Sequence, residues 1–412
     1  MDNITHVLLG GAMAYGMVGK RVGRLAFLIG GLAATLPDFD VFIRTGDALL
    51  NKLIHRHFTH ALVLVPVFAA LAVLPFLKAV RVRENWWHVY FAAVAACLTH
   101  TVIDTLTPYG TMILWPFTTR RFAVDVVVML DIFYTLILLV GVVLALRWKS
   151  TRAAIVTLVV STLWLGGGAL QHERAKSAQR ELLASRGHME KAVHWRVLPQ
   201  VGAAVNYRSV YIYDNHIYAD AIRVLPFKET RVRLGAHVEV VWPMWADGGF
   251  WEFADGFVAW MPGEGMLGDM RYTLTPEGFD AIWGISRDGS EWRNFMRGRG
   301  RMAGRMWGEL VRPEGYVGMS ELDPGMPPNL TEESGYYEIN SHIFRKWKYI
   351  AITAPAGKAM DELVAYIKSL PPVADVAFHE DMPRSEFQAS IRVTLKNGEK
   401  ENMGFCHPRC GR

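Results

Sequence analysis

The chain changes its pattern part-way along. Residues 1–170 hold apolar runs separated by short polar stretches, whereas residues beyond 195 alternate. The runs are Ile4–Gly19, Leu25–Ile43, Ala61–Val80, His88–Leu106, Val126–Trp148 and Ala153–Leu170. A helix needs about 20 apolar residues to span a bilayer. The runs therefore predict a membrane all-α helical bundle of about six transmembrane helices. The first run is short and glycine-rich, long enough to half-span. Pro66 and Pro75 in the third are tolerated in membrane helices. The fifth, VVVMLDIFYTLILLVGVVLALRW, carries a single aspartate and does not suit a water-soluble bundle. Gly166, Gly167 and Gly168 read as a close-packing surface in the sixth.

Residues 171–195 are polar and helix-prone, and read as a helical linker. Residues 196–412 read as a soluble α+β domain with mostly antiparallel strands. VNYRSVYIYDNHIYADAIRV predicts two strands turning at Asp214-Asn215. HVEVVW, FWEFADGFVAWM and MRYTLT predict further strands. RNFMRGRGRMAGRMWGELV suits a basic helix or a membrane-surface segment. KAMDELVAYIKSL predicts a helix, and EFQASIRVTLKNGEKENMGF a hairpin turning at Asn397-Gly398. Trp242, Trp245 and Trp251 are expected to pack in its core before contacting lipid or substrate.

Composition narrows the function classes. The net charge is +5, and Lys and Arg cluster between apolar runs, as at a membrane surface. No basic stripe interleaved with aromatics suggests nucleic acid. Of three cysteines, Cys97 lies in an apolar run and reads as core, while Cys406 and Cys410 are expected in a disordered tail. The N-terminus lacks the basic start of a signal peptide, so the first helix is expected to stay. There is no nucleophile elbow and no Walker phosphate loop, so no other catalytic constellation competes, and no cofactor-binding residues besides metal ligands are expected.

The polar residues inside the apolar half carry the chemistry. His6 begins run one; Asp38 and Asp40 end run two; His55, His57 and His60 precede run three; His100 and Asp104 end run four; Asp125 and Asp131 begin run five. On an alternating path all five places lie on one membrane face. Ionisable groups there are costly unless used, and a divalent metal would use them together. His100 and Asp104 are four apart and share a helix face. Three Thr-His pairs, at Thr5, Thr59 and Thr99, offer hydroxyls that could orient the imidazoles.

This run of motifs resembles the bacterial membrane-bound metal-dependent hydrolase family, some of whose members are described as LexA-regulated inner-membrane hydrolases. The resemblance rests on Thr5, His6, Leu9 and Gly10; on Pro37, Asp38 and Asp40; on His55, Arg56, Thr59 and His60; and on His100, Asp104, Thr107, Tyr109 and Gly110. WPFTTRRFAVD and LDIFYT also resemble it, and more weakly His194-Trp195-Arg196, Asp269 and Arg271. Ala61 stands where the family usually has serine, and His57 where a small residue is common.

The resemblance implies a hydrolase using a His- and Asp-bound metal to activate water. The expected ligands are His6, Asp38, Asp40, His55, His60, His100 and Asp104, with Asp38, His57 and Arg56 as the catalytic group and Arg56 able to hold a phosphate or carboxylate. Seven ligands exceed one tetrahedral zinc, so one or two ions are expected; zinc leads, with manganese, iron or nickel as alternatives. Partners would be membrane lipids and a lipid-linked or envelope substrate, with no nucleic acid. The alternatives are a metal-ion or proton-coupled transporter, or a non-catalytic protein stabilised by its metal. The expected location is the bacterial inner membrane, multi-pass. Nine basic residues flank the far face: Lys20, Arg21, Arg24, Lys78, Arg81, Arg83, Arg147, Lys149 and Arg152. Five flank the metal face, or eight counting Arg174, Lys176 and Arg180, so the soluble domain is expected outside, periplasmic or extracellular.

Overall fold

A computed structural model describes residues 1–200, 205–235, 237–241, 249–261, 264–273, 275–286 and 289–295, and short segments between 317 and 406. The helical half comprises α1 (Asn3–Val22), α2 (Leu25–Ala33), α3 (Ala48–Ile54), α4 (Val65–Val73), α5 (Val80–Glu84), α6 (Trp86–Thr105), α7 (Ile132–Arg147) and α8 (Thr151–Ser185). Only α6 and α8 are each long and apolar enough to cross a membrane. Two bent pairs, Leu25–Ala33 with Leu36–Phe42 and Ala48–His60 with Leu62–Phe76, would raise the total to four. Among the described residues two to four spans are thus supported by length and composition, against the expected six or so.

The departures have local causes. The second run stops being α-helical at Ala33, and Leu36–Phe42 is a 3-10 turn with Pro37 in its first turn. Proline lacks an N–H and pushes the preceding residue out of the α region. The fifth run becomes helical only at Ile132, where the Asp131 carboxylate accepts from the Tyr134 amide at 2.9 Å as an N-cap. The sixth does not stop at Leu170: α8 continues through more than half of the expected linker, to Ser185. Gly166 and Gly167 face open space rather than a packed neighbour. The close helix approach is instead at Gly141, where a Cβ would overlap the Thr157 side chain.

The deepest packing joins α1 to α2. A Cβ on Gly10 would overlap Ala34, and one on Gly30 would overlap the Gly10 carbonyl oxygen. This contact brings the start of α1 beside the end of α2. Around it lie Ala14, Tyr15, Ile29, Ala69, Ala93, Ala96 and the buried free Cys97, drawn from α1, α2, α4 and α6. Apolar residues such as Leu28, Leu71, Phe91, Val140 and Leu163 remain exposed on the outside, as expected for helices facing lipid.

Beyond α8 the chain is sheet-rich, and among the described residues every strand pairing is antiparallel. The first sheet runs β1 (Val193–Pro199), β2 (Asn206–Tyr213), β3 (His216–Arg223), β4 (Arg231–Arg233), with β5 (His237–Glu239) also on β3. The β2–β3 hairpin turns where expected: Tyr213 pairs with His216, and Asp214 and Asn215 both have positive φ. Both faces of β2 are buried. The Ala175, Ala178 and Leu182 side of α8 covers one face. The other packs on a second sheet of β6 (Val258–Met261), β7 (Met266–Asp269), β8 (Trp283–Ser286) and β9 (Trp292–Asn294).

FWEFADGFVAWM is not one strand. It is the short helix α9 (Gly249–Phe253), a turn at Asp255 and Gly256 with positive φ, and then β6. MRYTLT is not a strand either; β7 precedes it, and Thr273 makes only an isolated bridge to Ala281. Trp251 packs against the core as expected, whereas Trp242 and Trp245 lie outside the described residues. Farther on, β10 (Val317–Gly318) pairs with β4, β11 (Gly335–Tyr337) with β12 (Ile352–Ala354), and β13 (Val373–Phe378) with β14 (Gln388–Leu395). β14 pairs with β15 (Lys400–Cys406), as the expected hairpin requires. That hairpin carries Cys406 in a strand rather than in a tail; Cys410, the expected helix KAMDELVAYIKSL (apart from Lys368), the Asn397-Gly398 turn and the basic segment after Phe295 lie outside the described residues.

Gly30→Val should lower the melting temperature of the detergent-purified protein by several degrees, because overpacking costs about 1–3 kcal/mol or more. Gly166→Val should leave it unchanged. Equal melting of the two variants, followed by tryptophan fluorescence, would contradict the packing described.

Candidate metal centre

The centre forms where the first turns of α1 meet the turn after α2, the turn before α4 and the last turns of α6. His6 comes from the first, Asp38 and Asp40 from the second, His55 and His60 from the third, His100 and Asp104 from the fourth. The 3-10 turn after α2 buries both Asp38 and Asp40. Among the described residues, ligand-type atoms of Asp38, His60, His100 and Asp104 all lie within 4.8 Å of one another. A second group, Asp38, Asp40 and His55, shares Asp38 with the first.

The imidazoles are already oriented. His100 Nδ1 lies 2.6 Å from the Ala34 carbonyl oxygen, which can only accept. The proton therefore sits on Nδ1, and the Nε2 lone pair faces Asp38 Oδ1 at 3.7 Å and Asp104 Oδ2 at 3.6 Å. His60 repeats the device with a side chain. Its Nδ1 is 3.0 Å from Thr59 Oγ1, whose hydroxyl donates to Asp40 Oδ2 at 2.9 Å. His60 Nε2 is then left 3.3 Å from Asp38 and 3.4 Å from Asp104. His6 stacks on His100 with ring centroids 3.9 Å apart, and its Nε2 lies 3.2 Å from Asp104 Oδ1.

These atoms fit a cation. His6, His60 and His100 are fully buried, and the Nε2 of each has no hydrogen-bond partner. Native proteins rarely leave buried polar atoms unsatisfied, and imidazole nitrogens with carboxylate oxygens, as in the group of His60, His100, Asp38 and Asp104, are the donor set of a borderline transition metal. His6 falls in neither ligand group and reaches the first only through Asp104. Positive groups already gather at Asp104. Arg56 Nε lies 3.1 Å from Oδ2, and the Met1 amino group pairs with Oδ1. The residues could hold one ion in the first group, or two with Asp38 between them.

Asp40 differs from Asp38. It accepts from His55 Nδ1 at 2.8 Å, from the Arg56 amide at 2.9 Å and from Thr59 Oγ1. That makes it the organiser of the 55–60 turn as much as a ligand. Arg56 takes a positive φ there, uncommon for a non-glycine residue and typical of functional sites. Its guanidinium donates to Thr107 Oγ1 at 2.6 Å.

Other expected residues lie elsewhere. The His57 ring lies 6.0 Å from Trp115, in neither ligand group, because the turn sends it away from Asp38. Asp131 caps α7 and accepts from Trp164 Nε1. Asp125 binds Arg196 Nε at 2.9 Å, and that arginine also donates to the Pro108 carbonyl oxygen, tying the first sheet to the helical half. Burial acts most strongly on Arg196 and would lower its pKa, but Asp125 outweighs it and holds the pKa above the ordinary arginine value. Asp269 and Arg271 pair with each other at 2.7 Å. Of the Thr-His pairs only Thr59 orients its histidine; Thr5 bonds Asp2 and Thr135, and Thr99 the Ala96 carbonyl. The Ala34 carbonyl has no sequence signal at all.

Residues 1–175 match the family model described as YdjM inner membrane protein. No curated protein and no solved structure matches the chain. The YdjM segment contains every member of the cluster and ends within α8. Its description and the apolar helices agree on an inner-membrane location. That supports the membrane part of the family resemblance; it carries neither hydrolysis nor LexA control.

Metal content provides the check. His60→Ala and His100→Ala should each reduce bound divalent metal at least tenfold, measured by plasma mass spectrometry on the purified protein. Thr59→Ala should weaken affinity about 10–100-fold, as loss of an orienting partner does. Asp131→Asn should bind metal normally.

Proposed function

We propose that this protein is a membrane-bound metal-dependent hydrolase working at one membrane face. The carrying observation is the convergence of the unpartnered, buried His60 and His100 Nε2 atoms on Asp38 and Asp104, with the unpartnered His6 Nε2 beside Asp104. Zinc suits this donor set best, as one ion or two. Bound there, the metal would lower the pKa of a coordinated water toward neutrality. The ligands would be His6, Asp38, His60, His100 and Asp104, joined by Asp40 and His55 for a second ion. Ala34 and Thr59 keep His100 and His60 in the tautomer that presents Nε2. Arg56, beside Asp104, holds positive charge where an anionic group of the substrate would develop charge. His55 is the partly exposed member, with 28% of its side chain accessible, and so marks the approach to the centre. His57 is better assigned to the approach than to the chemistry.

The first test is chemical. The purified full-length protein is stripped of metal, reloaded with zinc, and incubated with a membrane lipid extract in ¹⁸O-water. Hydrolysis should place ¹⁸O in a product, in a metal-dependent way, and Asp38→Asn should reduce it at least 100-fold. Native protein free of transition metal would refute the proposal. A second reading rests on the burial of the four-residue group, none of whose side chains is more than 7% accessible. A metal there could serve only to hold the helices together. That reading expects chelation to lower the melting temperature with no turnover to lose.

The orientation proposed is outward, with the sheet domain periplasmic or extracellular, on the loop charges. A phosphatase fused after Arg412 should be active; a fluorescent cytoplasmic fusion instead would reverse the orientation.

A further inference from the structure

Beside the centre lies a cavity of about 1010 Å³, between the helical half and the sheet domain. Tyr109 lines it, and the Tyr109 ring lies 5.6 Å from the ring of His55. One wall is apolar, with Leu50, Leu53, Ile54 and Phe58. Leu50 is 43% exposed, and Leu114 and Phe117, next in the chain to the lining residues Ile113 and Thr118, are 40% and 86% exposed. The apolar wall thus runs out to side chains suited to lipid.

The other wall is cationic. Guanidinium and aromatic groups alternate from the centre outward. Arg56 lies 5.0 Å from the Tyr109 ring and Arg121 5.7 Å from it; Arg121 lies 5.6 Å from the Phe253 ring and Arg271 5.3 Å from it. Arg56 is paired with Asp104 and Arg271 with Asp269. Arg196, also in the lining, is shared by Asp125 and Asp255. Arg121 between them has no carboxylate among the described residues. Its hydrogen bonds go to the carbonyl oxygens of Leu53, His55 and Gly110. Arg120, exposed in the lining, lies over the Phe122 ring, and its guanidinium makes no hydrogen bond among the described residues. Glu252 is the remaining lining carboxylate and is exposed. A partly buried guanidinium without a counter-charge favours a bound anion, and arginine suits phosphate oxygens best.

We infer that this cavity binds a phosphate-bearing amphiphile, with the phosphate at Arg120 and Arg121 and the acyl portion along Leu50, Leu53 and Ile54. Its role as substrate rests on the hydrolase reading; its binding rests on the cavity alone. The apolar wall separates a lipid from a free phosphate, and the arginines separate it from a neutral diacylglycerol.

The experiment is calorimetry on the full-length protein in detergent, stripped of metal so that binding is seen without turnover. Three probes are compared: dihexanoyl phosphatidate, inorganic phosphate and dihexanoylglycerol. Phosphatidate should bind at least tenfold more tightly than either of the others. Arg120→Gln and Leu50→Gln, both at exposed positions that folding tolerates, should each weaken it at least threefold. Arg121→Gln should weaken it tenfold, and Arg121→Lys should restore part of that loss. Equal binding of phosphatidate and phosphate would overturn the assignment, as would equal binding of phosphatidate and diacylglycerol. Binding unchanged in Arg120→Gln and Leu50→Gln would overturn it too. With zinc restored, selective binding without cleavage would instead count against the hydrolase reading while the cavity stands. Metal-dependent cleavage of other lipids without phosphatidate binding would do the reverse.

Discussion

The constraint on which the helical half depends is the burial of Asp104 at the end of an apolar helix. A carboxylate cannot sit there unless charge is brought to it. His6, His60, His100 and Arg56 all come to it, from two other parts of the chain and from its own helix. Each has had to abandon regular helix or sit at a helix end to do so. The breaks after Ala33 and around His55–Ala61 are the backbone side of that requirement. The glycine contact between α1 and α2 supplies the other side, because it brings His6 within stacking distance of His100.

The sheet domain is joined to this centre through a small mixed core. Leu49 and Tyr109 from the helical half pack with Phe250, Phe253 and Val258 from the sheet half. Arg196 adds a charged tie to Asp125 and to the Pro108 carbonyl. The 108–124 segment thereby acts as the shared wall of both halves. It ends one helix that carries the centre, shapes the cavity, and supplies Arg121, whose carbonyl contacts clasp the turn bearing His55.

Much of the centre was legible because charge in an apolar run is conspicuous. Asp38, His60, His100 and Asp104 stand out on that ground alone, and the structure brings them together. The turn at Asp214 and Asn215 was equally plain, since those residue types tolerate positive φ between alternating strands. Helix ends were less legible. Hydropathy records apolar character and not backbone angle, so Val126–Leu130 looked helical although the Asp131 cap excludes it. FWEFADGFVAWM looked continuous although Asp255 and Gly256 turn it. His57 looked like its neighbours because spacing shows which residues are near in sequence, not which way a tight turn sends them. The cavity was invisible, being made by segments far apart in the chain.

The unbroken run of α8 also sets a distance. At about 1.5 Å per residue its 35 residues reach roughly 50 Å. Its first half lies against α1 and α7 while its second half lies under the first sheet. The sheet domain is therefore mounted on a rigid strut rather than tethered by a hinge. Each residue added to that strut would rotate the sheet by about 100° about the helix axis. The wall it lends to the cavity would then swing away from the wall that stays behind, so the phase of one helix keeps the two halves facing each other.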